Sequence, residues 1–168
     1  YSVVQTGDGG YALAGWTNLG ESGSDFLLVK TDSAGNLMWN RTYGGMGWEG
    51  EWAWSLVQTS DKGFAIVGDT NSFGAGAYDI WLVKTDSAGN MLWDRTYGGT
   101  SNDWGHSVVE TSDGGYAITG LTSSYGAGGA DFWLVKIDPS PGVDRQTVQQ
   151  GQNVNFHVVA KNEGTRTE

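Results

Sequence analysis

DIWLVKTDSAGNMLWDRTYGG, residues 79–99, recurs almost letter for letter as DFLLVKTDSAGNLMWNRTYGG, residues 25–45. Its first half returns a third time as DFWLVKID, residues 131–138. Asp25, Asp79 and Asp131 are 54 and 52 residues apart, and Ser2, Ser55 and Ser107 are 53 and 52 apart. A compound motif returning at such a period marks a chain built from stacked supersecondary units. The units run over residues 2–54, 55–106 and 107–138, the last lacking the Trp-bearing end of the other two.

Each unit reads as four short strands. SVVQT, SLVQT and SVVET come first, followed by turns spelled GDGG, SDKG and SDGG. Gly in these turns permits the positive φ of a tight hairpin. YALAGWT, FAIVGDT and YAITGLT are the second strands, the DIWLVKT-type segments the third, and LMWNRTY and MLWDRTY the fourth. Val, Ile, Thr and aromatics dominate these runs, and no segment carries an apolar period of 3.6 with caps. In DIWLVKT, Ile80 and Leu82 take one face and Trp81 and Val83 the other. A strand apolar on both faces needs a layer packed on each. Small sheets arranged radially supply this without helices. The fold class is therefore all-β, a β-propeller of four-stranded antiparallel blades with three repeats present. Propellers close with about four to eight blades. Three units thus belong to a longer ring, share a six-blade ring with a second chain as a homodimer, or form an open stack with one apolar face exposed.

Both prolines of the chain lie in PSPG, residues 139–142. Residues 139–145 read as a linker. In 146–168, Val154, Phe156 and Val158 alternate with Asn153, Asn155 and His157, the pattern of a strand with one buried face. This tail is either the start of an Ig-like module or a strand that completes the third blade. The first residue, Tyr1, falls inside the repeat pattern, as expected of a piece excised or processed from a larger protein.

Composition narrows the function classes. Nineteen acidic residues against nine Lys plus Arg give a net charge of -10 over 168 residues. Such a surface repels phosphate backbones, so nucleic acid is not an expected partner. With no Cys, disulfides, thiolate metal sites and Cys nucleophiles drop out. No apolar run reaches the length of a membrane span. Nine Trp, seven Tyr and five Phe argue for a packed core rather than disorder.

The compound motif, best seen in SVVETSDGGYAITG at 107–120 and DIWLVKTDSAGNMLWDRTYGG at 79–99, resembles a widespread repeat of archaeal and bacterial secreted or cell-surface proteins. The likeness covers residues 2–138, about four fifths of the chain. It implies β-propeller blades, an extracellular or cell-surface location, adhesion or interaction roles, and no catalytic residues. Residues 147–164 are similar to the opening of a CARDB-like or other adhesion-type Ig domain. The turn with Asp86, Gly89 and Trp93 resembles the tryptophan-docking turn of quinoprotein propellers but is one residue shorter, which argues against a quinone enzyme. No cofactor is implied.

The segments that escape the repeat are the functional candidates. MGWEGEWAW at 46–54 offers Trp48, Glu49, Glu51 and Trp52, and TSNDWGH at 100–106 offers Asp103, Trp104 and His106. Each bridges the outer strand of one blade to the inner strand of the next. Trp beside carboxylates suits a glycan or a protein or peptide ligand; the alternative is that these rings only cover the top of the core, in a structural spacer of a surface protein. Catalysis has little support: no His pair is spaced for a metal, and Glu49 and Glu51 share one short loop, unlike a glycosidase pair facing across a cleft. TDSAGN offers hard oxygens for a cation through Asp32, Asn36, Asp86 and Asn90, but it recurs, as a structural hairpin must. Lys30, Lys84 and Lys136 are expected to lay their stems on neighbouring rings while the ammonium reaches solvent or an Asp. Trp39 and Trp93 are expected to fill the core between blades.

Overall fold

The computed structural model describes residues 1–18, 23–45, 50–139, 144–149 and 157–159. They form three antiparallel sheets, taken up in chain order. The first holds β1 (Ser2–Gln5), β2 (Tyr11–Asn18), β3 (Ser24–Thr31) and β4 (Leu37–Tyr43). The second holds β5 (Glu51–Gln58), β6 (Phe64–Thr70), β7 (Asp79–Thr85) and β8 (Met91–Tyr97). The third holds β9 (Asp103–Glu110), β10 (Tyr116–Thr122), β11 (Asp131–Ile137), β12 (Asp144–Gln149) and β13 (His157–Val159). Within each sheet neighbours in sequence pair, so every connection is a hairpin. The protein is all-β and blade-like among the described residues, and there the sheets do not close into a ring or barrel.

β12 occupies the fourth-strand position although it lacks the Trp-bearing motif. It pairs with β11 from Phe132↔Gln149 to Ile137↔Asp144. It therefore begins inside the 139–145 stretch read as a linker. β13 extends the sheet on the far side of β12. The rest of the Ig-like reading falls outside the described residues.

One ion pair per unit locks the first hairpin to the third strand. Lys30, Lys84 and Lys136 each reach an Asp of that turn, Asp8, Asp61 and Asp113, at 2.9 Å. Each ammonium also donates to the carbonyl of the next residue, at 2.7, 2.8 and 3.1 Å. Gly10, Gly63 and Gly115 donate backbone N–H groups to the same Asp residues. The ammonium thus pairs with Asp, as the sequence suggested. In the TDSAGN hairpins, Asp32 and Asp86 accept from the backbone N–H and side-chain amide of Asn36 and Asn90, all at 2.8 Å. Those bonds hold both carboxyls below the usual range, the Asn side chain contributing most. Gly35 and Gly89 take the left-handed conformation that closes the loop. The oxygens offered as cation ligands thus serve the turn, and no cluster of three or more His, Cys, Asp or Glu suited to a metal exists among the described residues.

Two apolar layers hold the sheets together. Between the first and second lie Ala12, Ala14, Phe26, Leu28, Leu56, Phe64, Ile66, Trp81 and Val83. Between the second and third lie Ala65, Val67, Ile80, Leu82, Val108, Ile118, Trp133 and Val135. The middle sheet serves both, Trp81 and Val83 to one side and Ile80 and Leu82 to the other, and β6 and β7 are buried along their whole length. This is the packing that the two-faced third strand demands. The fully buried indoles are Trp81 and Trp133. Trp39 and Trp93 are only half-buried, each set edge-on to an aromatic of the next sheet, Phe64 at 6.0 Å and Tyr116 at 5.9 Å. Arg41 and Arg95 cover their outer faces at 5.5 and 5.2 Å. Phe73 and Tyr125 pack against Trp81 and Trp133. The fourth strands lie at one edge of the first two sheets, so their side chains stay largely or half in water, while β3 buries every second residue and β7 its whole length.

Candidate functional site

Two β-bulges decide where the site lies. In the second sheet Ala53 faces Gly68 and Ser55 faces Val67, leaving Trp54 unpaired. In the third, Gly105 faces Gly120 and Ser107 faces Thr119, leaving His106 unpaired. A bulge bends its strand and re-aims one side chain. The opposing strand must come close here: a Cβ on Gly68 would lie 1.9 Å from Trp52 O, and one on Gly120 1.8 Å from Trp104 O. The Gly of the GxT ending is thus a requirement of the bulge in β6 and β10.

The bulged residues open onto a cavity of about 430 Å³ lined by Trp52, Trp54, Asp69, Tyr78, Trp104, His106 and Leu121. Its wall is almost wholly carbon. Trp52 and Tyr78 form one corner, centroids 5.6 Å apart and planes tilted by 52°. Aromatic surface continues onto the first sheet, where Tyr1 sets its edge 5.3 Å from Trp54 and stacks on Trp16 at 6.4 Å. Tyr1, Trp54 and His106 hold equivalent positions in the three units, as do Trp16, Asp69 and Leu121.

Asp69 is the exception in that second series. Its side chain is buried, with 4 % of the residue exposed. One oxygen accepts from Trp54 Nε1 at 2.5 Å and the other from Gly105 N at 2.8 Å. The carboxyl thereby joins β5, β6 and β9 across two sheets. Burial pushes its pKa up to about 6, and the two hydrogen bonds only partly offset that.

The residues singled out from sequence divide three ways. Trp52, Trp104 and His106 come together in this cavity. Glu51 and Asp103 do not line it; they are buried at the entries to β5 and β9, 1 % and 0 % exposed. Glu51 accepts from Thr70 Oγ1 at 3.0 Å, from Ser72 Oγ, and from Gly45 N at 3.3 Å. Asp103 accepts from Gly99 N at 2.9 Å and Ser124 Oγ at 2.6 Å. The pair therefore fastens each inter-sheet connection. Trp48 and Glu49 lie outside the described residues. Trp54 belongs to the 46–54 bridge singled out from sequence; Asp69, Tyr78 and Leu121 escaped that reading. Asp69 was legible as a carboxylate where sister units carry Trp16 and Leu121; Tyr78 and Leu121 bore no such mark.

No known protein-family profile matches the chain. A stretch of 69 residues, 39 % of the chain, is 38 % identical to part of the regulatory protein FlaEY of Caulobacter vibrioides. The match spans 7 % of that protein's length.

Proposed function

We propose that the chain is a non-catalytic binding module of a secreted or cell-surface protein, carrying its ligand site on consecutive β-propeller blades. The observation that carries this reading is the cavity itself. Three Trp and a Tyr line a concavity of about 430 Å³ at the bulged edge of two sheets, where their burial in a plain stack would need no concavity at all. Pockets walled by aromatics with one or two fixed polar groups are the usual form of a small-ligand site. Tryptophan at the centre of such a surface supplies most of the binding energy.

The decisive experiment is a glycan, peptide and small-molecule screen of the wild type beside Trp52→Ala and Trp104→Ala, read through intrinsic fluorescence. Binding weakened at least tenfold by both changes supports the site. Tight binding that neither change affects removes it.

A further inference from the structure

The carboxyl in the cavity wall has no counterpart in the repeat and no counter-ion among the described residues. Packing alone accepts Trp16 or Leu121 at this position, so burial of a charged group here is not required to build a blade. The chain's ion pairs join Lys30 to Asp8, Lys84 to Asp61, and Lys136 to Asp113 and Asp138. None reaches Asp69 among the described residues. Both its oxygens already accept neutral N–H donors, from Trp54 and Gly105. It therefore offers negative charge at an apolar wall rather than a hydrogen-bonding edge.

These features select among ligand chemistries. A sugar asks for many donors and acceptors around its ring, and this wall, beyond His106 and the engaged Asp69, presents carbon. An uncharged apolar ligand would leave the carboxylate without a counter-charge. A methylated ammonium group meets both conditions, because it carries positive charge and makes no demand for acceptors. Aromatic rings attract such a cation through their quadrupoles, most strongly when it is desolvated. A buried carboxylate acts on it with little screening.

We propose that Trp52, Trp54, Tyr78 and Trp104, with Asp69 behind them, form a cage for a trimethylammonium group on a small molecule or a peptide side chain. This rests on the reading of the cavity as a binding site. The test titrates the whole chain with choline and with 3,3-dimethylbutan-1-ol, its uncharged isostere, following Trp fluorescence. Choline should bind about tenfold more tightly than the alcohol. Asp69→Asn should remove most of that preference by weakening choline far more than the alcohol, while Trp104→Ala weakens both alike. Equal affinity of the two probes for the wild type overturns the proposal, and that comparison needs no variant. Failure of both probes, with another ligand still bound in a Trp104-dependent way, overturns the cation cage and leaves the binding module standing. Failure of every ligand at this cavity overturns both.

Discussion

Asp69 sets the residue-scale behaviour. Its carboxyl is easier to protonate in the fold than in the unfolded chain, about 6 against roughly 3.9. The folded state therefore binds more protons between those values, and stability falls as pH rises from about 4 to about 6, then stays lower. Asn cannot ionise, so the stability of Asp69→Asn relative to wild type should improve by about 2–3 kcal/mol between pH 4 and pH 7.5. Urea unfolding at the two pH values measures this; an unchanged difference would show that the buried carboxyl feels no such penalty. The turn aspartates have the opposite sign. Burial would raise Asp61, yet the Lys84 ammonium, Thr59 hydroxyl and Gly63 N–H hold it at about 2. Its contribution is complete above the unfolded value near 3.9 and is lost as pH falls toward about 2. Being more than half exposed, it is also weakened by salt.

At the scale of the element, the third strand is the organising piece. Trp81 lies between Phe26 at 4.7 Å and Phe73 at 5.3 Å, and its indole N–H donates to Asp94 at 2.9 Å. Trp81→Ala should cost about 3–5 kcal/mol, the range for a large core truncation. Trp93, half in water under Arg95, should cost clearly less, on the order of 1–2 kcal/mol. Chemical denaturation of the two variants side by side checks the order; equal losses would mean the fourth strands carry as much of the core as the third. The recurring WxR motif drew attention to Trp39 and Trp93 because repetition is visible in sequence. Whether a repeated indole sits in the centre of a sheet or on its outermost strand is not, since that depends on pairing order.

At the scale of the molecule, the first and third sheets each leave one apolar face uncovered among the described residues. Val3 is 62 % exposed where its counterpart Leu56 is 4 %, and Phe132 is 49 % exposed where Ile80 is 0 %. Leu13 and Val109 follow the same rule against Ile66 and Val57. Leu56 and Ile66 belong to the face the second sheet turns to the first; Ile80 and Val57 belong to its opposite face. The open ends are thus repeat equivalents of the two halves of an interface already formed twice within the chain. We propose that a second copy covers them head to tail, closing six blades, a number within the usual four to eight. Sedimentation should give twice 17.9 kDa at micromolar concentration, and Val3→Glu with Leu13→Lys should return the monomer mass. A wild type that stays monomeric throughout would rule out this closure.

Strand content, the three repeats and the two-faced third strand followed from sequence alone, because alternation and period are local properties that survive any arrangement. The aromatic candidates Trp52, Trp104 and His106 were legible because they lie in the bridges between units, outside the strand motifs, with Trp52 and Trp104 recurring 52 residues apart. The carboxylates beside them looked alike in sequence, yet Glu51 and Asp103 turn inward to fasten connections while Asp69, opposite Trp52 on the neighbouring strand β6, enters the cavity. That choice was made by bulges and by which sheet edges meet, which bring Asp69 against residues 15 and 36 positions away. Side-chain direction at a bulge depends on the opposing strand, and no pattern within one strand can carry it.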